Sequence, residues 1–134
     1  MVLKLRIRIC YKNKCVESVG IANSGFTGRE PEITIPEYIA RELLGEGVTL
    51  TLVDRLLADG SRVSLARTVE PLNLYLVAED RIEGPIKVYA YIIRGRFILL
   101  NDSVLSTLRV VIIDPWKGIW CFRDELGKKE RKGV

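Results

Sequence analysis

The sequence predicts one mostly-β domain, a small barrel carrying two short helices. Three observations lead there. Val, Ile and Thr are abundant, and apolar and basic residues alternate strictly through Leu3-Lys4-Leu5-Arg6-Ile7-Arg8-Ile9, the period of a half-buried strand. Turn signals such as Asp59-Gly60 separate short apolar runs. The 134 residues are 48% hydrophobic and 28% charged, enough for one buried core and too apolar for a disordered chain.

The elements follow in order. Residues 3–9 form a strand with Leu3, Leu5, Ile7 and Ile9 toward a core and Lys4, Arg6 and Arg8 toward water. Asn13 marks a turn, and residues 15–21 return. Residues 22–31 collect Asn, Ser, Gly, Thr and Pro and read as a loop. Residues 32–35 form a short strand that enters Pro36. Pro36 at a first helical turn, with Glu37 and Glu42 behind it and Gly45 at the end, marks a helix whose apolar face is Tyr38, Ile39 and Leu43. Two strands, 48–57 and 62–69, flank the Asp59-Gly60 turn, and 72–77 and 86–93 supply two more. After the turn Arg94-Gly95-Arg96 comes a brief strand, 97–100. Asp102 or Ser103 caps a second short helix running to Leu108. Residues 109–113 and 119–122 finish the sheet, with Asp114 in the turn between them and Trp116 and Trp120 either closing a core edge or anchoring an interface. The tail from Arg123 is charged and reads as a short frayed helix.

Charge and composition remove several function classes. The net charge of +4 is uneven: residues 1–14 hold five bases and no acid, and residues 123–134 hold five bases against three acids. These basic ends suit an acidic partner or nucleic acid, or are simply solvated. No aromatic-plus-basic RNA-binding signature accompanies them, so nucleic acid is not the expected partner. The absence of His excludes zinc-peptidase motifs, Ser-His-Asp triads and Cys-His pairs. No metal site and no cofactor loop is legible. No apolar run reaches membrane-spanning length, and the alternating start lacks a secretory h-region, which predicts a cytoplasmic address. The absence of Gln and the single Met point weakly to a thermophile. Cys10, Cys15 and Cys121 are an odd set, expected as free thiols. A turn at Lys12-Asn13 nevertheless sets Cys10 opposite Cys15, where a bridge is feasible in an oxidising or hyperthermophilic setting.

One constellation says more. The run Ile21-Ala22-Asn23-Ser24-Gly25-Phe26-Thr27-Gly28 is followed by Ile33-Thr34-Ile35-Pro36 and a short helix. Further on stand Ala58-Asp59-Gly60-Ser61 and Leu99-Leu100-Asn101-Asp102-Ser103-Val104-Leu105. In order and spacing these segments resemble the retropepsin-like aspartic peptidases of bacteria and archaea. In that family an apolar-Asp-Thr/Ser-Gly turn precedes a Pro-Glu helix, a flap hairpin often carries Ala-Asp-Gly, and Leu-Leu-Gly opens a last helix. The resemblance implies a closed, barrel-like acid-protease fold over residues 1–122 with a charged tail at 123–134. It also implies a homodimer that takes an extended peptide, with no cofactor.

On the same resemblance, Asn23 stands at the catalytic Asp position with Ser24 and Gly25 beside it. Phe26, Ala58, Asp59 and Gly60 would line the peptide, and Thr27 would brace the loop by a hydrogen bond of its own. Asn101 replaces the family's Gly and would keep a left-handed turn there. An amide cannot take a carboxylate's part in proton transfer, so the chain is expected to be silent as written. Three readings of Asn23 stay open: a natural pseudoenzyme, a substituted form of a working peptidase, or a plain Asx-turn residue outside the family. Deamidation to Asp is a minor fourth. The alternative function is a non-enzymatic β-barrel module for RNA or an acidic protein.

Overall fold

A computed structural model describes residues 3–134, so the first two residues of the expected domain lie outside the described residues. The elements are β1 (Lys4–Tyr11), β2 (Lys14–Ala22), β3 (Glu32–Pro36), α1 (Glu37–Leu44), β4 (Leu50–Leu56), β5 (Arg62–Thr68), β6 (Leu72–Val77), β7 (Ile82–Ile93), β8 (Ile98–Leu100), α2 (Asp102–Thr107), β9 (Val110–Asp114), β10 (Ile119–Phe122) and β11 (Arg131–Lys132). Six strands close a barrel in the order β3-β8-β2-β1-β6-β7, with β7 returning to β3. Most neighbours are antiparallel. Two pairs, β2 with β8 and β3 with β7, are parallel.

Alternation builds the interior. Leu5, Ile7 and Ile9 of β1 are buried while Lys4 and Arg6 are exposed. They meet Leu72, Leu74 and Leu76 of β6, Ile33 and Ile35 of β3, and the buried side of both helices in one core. In α1 that side is Ile39, Ala40, Leu43 and Leu44, whereas Tyr38, expected there, is exposed. The i, i+4 pairs 39/43 and 40/44 define one stripe, and residue 38 lies a further turn-fraction around the helix.

Several local expectations are corrected. The strand expected from residue 86 begins at Ile82, because a register shift in β6 between Leu74 and Leu76 accommodates Gly84-Pro85. Residues 110–122 do not finish the main sheet. They form a separate three-stranded sheet with β11 from the tail. The tail is therefore no frayed helix: one turn of 3₁₀ helix at Arg123–Glu125 leads to β11, and Val134 N–H donates to the carbonyl of Lys4 at 2.9 Å. Cys10 and Cys15, expected as free thiols, are bridged. The two-residue turn, with Lys12 at φ 53°, makes them direct cross-strand partners. Cys121 is free and buried, and that burial pushes its thiol pKa up.

The hairpin β4–β5 stands apart from the ring. Among the described residues it hangs on β7 through two residue pairs, Ala66 with Ile92 and Arg67 with Tyr91, and nothing pairs with the outer edge of β4. Among the described residues no helix is long and apolar enough to cross a membrane.

Candidate functional site

The parallel pairing of β2 with β8 (Gly20 with Ile98, Ile21 with Leu99, Ala22 with Leu100) carries the chain into Asn23 directly beside Asn101. Asn23 N–H donates to the Leu100 carbonyl at 2.9 Å, and Asp102 N–H donates to the Phe26 carbonyl at 3.1 Å. Residues 76 and 77 positions apart are thus joined by backbone hydrogen bonds. Within its turn, Asn23 Oδ1 accepts from Gly25 N–H at 3.2 Å and its carbonyl accepts from Phe26 N–H at 3.1 Å. This is an Asx turn, a geometry that Asn and Asp share. Ser24 and Gly25 are exposed.

Asn101 organises the other side. It is fully buried, and its Oδ1 accepts from Val104 N–H at 2.9 Å and from Glu32 N–H at 3.1 Å, while Nδ2 donates to the Glu30 carbonyl at 3.0 Å. Asn101 is therefore the cap of α2, in place of Asp102 or Ser103, and its φ of −77° and ψ of 175° are extended rather than left-handed. The reason is chemical: a carboxamide in this position satisfies both a helix-end donor and the edge of β3. Asp102 instead accepts from Gly28 N–H at 3.2 Å and Ser103 N–H at 2.8 Å. At Gly28 a Cβ would lie 2.5 Å from Glu32 Oε1 and 2.9 Å from Asn101 Nδ2, so a larger residue would push both side chains out of their present places.

The hairpin approaches this loop by its strand and not by its tip. Ala58, Asp59 and Gly60 form an exposed turn in which Asp59 Oδ1 accepts from Ser61 N–H at 2.9 Å and Ser61 Oγ–H at 2.6 Å. Those bonds hold the Asp59 carboxyl below its usual range. The link to the loop is Arg55, whose Nη2 donates to the Thr27 carbonyl at 2.6 Å. Thr27 itself is exposed, and it braces the loop through its backbone carbonyl.

Beneath Arg55 lies a cluster that sequence reasoning missed. Glu32 has a side chain only 6% exposed, and its Oε2 accepts from the Tyr91 hydroxyl at 2.8 Å and pairs with Arg67 Nε at 3.1 Å. Its Oε1 is 3.5 Å from Arg55 Nη1 and has no hydrogen-bond partner. Arg67 also pairs with Glu30. The Arg55 guanidinium sits 5.4 Å from the Phe26 ring centre and 5.6 Å from that of Tyr91, two rings 6.2 Å apart and inclined at 55°. Burial first, and the bond to Glu32 second, raise the Tyr91 hydroxyl pKa. A signal for this cluster was present: the register Thr51 with Arg67 and Arg55 with Val63 puts both arginines on one face of the hairpin.

No protein-family model matches the chain, and no curated protein is detectably similar to it. Among the described residues no three acidic, Cys or His side chains gather as a metal-holding group.

Proposed function

We propose that the chain is a retropepsin-like aspartic peptidase homologue, a peptide-binding half-site whose chemistry is silenced by Asn23. The observation that carries this reading is the junction of the Asn23-Ser24-Gly25 turn with Leu99-Leu100-Asn101, roofed on one side by the β4–β5 hairpin through Arg55. Two copies related by a two-fold axis would bring two such turns together, and an extended peptide would lie between turn and hairpin as an added strand.

In an Asp form, two carboxylates at that axis would share one proton, because like charges so close cannot both ionise readily. One would act as base toward water and the other would polarise the scissile carbonyl. Asn23 can hold the turn, through Oδ1 and Gly25 N–H, without offering a proton or taking one. General acid–base work of this kind is worth about 10²–10⁴-fold in rate, and its loss leaves binding without cleavage.

The test is Asn23→Asp, with both forms digested against an unstructured protein across acidic and neutral pH. Cleavage by the Asp form alone, strongest below neutrality and blocked by a pepstatin-like transition-state mimic, is expected. A strict monomer by light scattering, together with no cleavage by either form, removes the reading.

A second reading, a non-enzymatic module for RNA or an acidic protein, rests on one groove. Lys4, Arg6, Lys129 and Lys132 line a groove of about 690 Å³ near the tail, shared with Glu79, Asp80 and Glu130. RNA affinity that falls steeply with salt would favour it.

A further inference from the structure

We infer that the cradle formed by Glu32, Phe26 and Tyr91 is a subsite for a basic side chain, arginine above all, and that Arg55 of the hairpin fills it in the unliganded chain. The inference rests on the peptide-binding reading and names the kind of peptide that site takes. Three features of the cradle support it.

The first is spare capacity. Glu32 is held by β3 within the barrel wall, and its Oε2 accepts a hydrogen bond from the Tyr91 hydroxyl and forms an ion pair with Arg67. Oε1 is buried and makes no hydrogen bond. Arg55 Nη1, at 3.5 Å, neutralises that oxygen without bonding to it, since a charge-assisted N–H···O bond closes to about 2.7–2.9 Å. The good hydrogen bond of Arg55 goes elsewhere, to the Thr27 carbonyl at 2.6 Å. A guanidinium entering on a free chain is not tied to that carbonyl and can settle onto Oε1.

The second is shape. Two aromatic faces flank the cation position at 5.4 and 5.6 Å, the arrangement in which planar, weakly hydrated guanidinium is favoured over ammonium. The third is exchangeability. Arg67 lies at the base of the hairpin, in the ladder to Tyr91, and stays with Glu30 and Glu32. Arg55 lies farther out, on the strand whose outer edge is unpaired, with a side chain 28% exposed. With Arg55 in place, two arginines face two glutamates. When the hairpin lifts, one negative charge is left without a counter-ion, and an incoming cation restores the balance.

The experiment uses the full chain and acetylated octapeptides identical but for a central Arg, Lys, Gln or Glu, read by fluorescence anisotropy. The Arg peptide should bind about tenfold tighter than the Gln peptide, the gain of a hydrogen bond to a charged group. Arg55→Ala, which vacates the cradle, should widen that preference, and Phe26→Leu should shrink it. Glu32→Gln in the Arg55→Ala background should abolish it. Because Glu32→Gln also strips Arg67 of a partner and can unfold the chain, Phe26→Leu stands as the independent control. Equal binding of Arg and Gln peptides by Arg55→Ala overturns the subsite while leaving peptide binding intact. A parallel arm uses ethylguanidinium and thermal melting. It should raise the Tm of Arg55→Ala and not that of the parent chain. If no peptide binds but ethylguanidinium still stabilises Arg55→Ala, the subsite stands and the peptide reading falls. If neither binds, the inference is overturned.

Discussion

Two arginine–carboxylate networks tie loose ends of this chain to its barrel, and they are built to different standards. At the tail, Arg131 uses all its donor nitrogens: Nε and Nη2 reach Glu125 at 2.9 and 2.8 Å, and Nη1 and Nη2 reach Asp80 at 2.7 and 3.3 Å. Arg81 forks onto Asp124 at 3.0 Å twice and reaches Glu83 at 2.6 Å, and both guanidinium groups cover the Phe122 ring. Under the hairpin, Glu32 is the most deeply buried carboxylate of either network, yet Arg67 Nε and Glu32 Oε1 complete no hydrogen bond. A saturated network pins a segment. An unsaturated one, covered by a hairpin with a two-pair ladder to the barrel, keeps a group in reserve.

Breaking the hairpin network should have the largest effect. Glu32→Ala leaves Arg67 and Arg55 facing each other with one counter-ion fewer, and the cost of stranding a buried partner is about 3 kcal/mol, read as the loss in denaturant-unfolding free energy. A loss below about 1 kcal/mol would show that the site hydrates freely.

The tail network should yield less and should be sensitive to acid. Arg131→Ala is expected to cost about 2 kcal/mol at neutral pH, the scale of its hydrogen bonds to charged acceptors. Hydrogen bonding from Arg131 brings the Glu125 pKa from 4.5 down to about 2, and Asp80 is lowered too, chiefly by the same residue. A depressed carboxylate stabilises the fold above its unfolded pKa and loses that contribution as pH falls through the folded value. Stability of the parent chain should therefore drop between about pH 4.5 and 2, and Arg131→Ala should flatten that limb in a pH series of melts.

Tyr91→Phe sharpens the comparison most finely. It keeps the ring over Arg55 and removes one 2.8 Å bond to Glu32, for an expected loss of about 1 kcal/mol. The hairpin should then become more open to limited proteolysis between residues 57 and 62, with the tail unchanged.

Much of this was legible in the sequence. The alternation of residues 3–9, the Asp59-Gly60 turn and Pro36 before Glu37 mark β1, the hairpin and α1 within a residue or two. The segments around Asn23 and Asn101, paired on motif order alone, do meet through the Asn23–Leu100 bond. The roles at that junction were read less well. Asn101 looked like a turn residue because its partners, Glu30, Glu32 and Val104, include two that lie about 70 positions away. Glu32 opens a short strand and Arg55 and Arg67 lie on a hairpin, and nothing in their local sequence marks them as partners.

Strand period, turn chemistry and helix start are consequences of neighbours within about ten residues, so the sequence by itself determined them. Tertiary structure decided the closure of β3 onto β7 and β8 and the return of the tail as β11. It also decided which charges were buried. An arginine twelve positions from another, on the same face of a hairpin, has no fixed environment until that hairpin is laid across Glu32, and only the register of β5 against β7 lays it there.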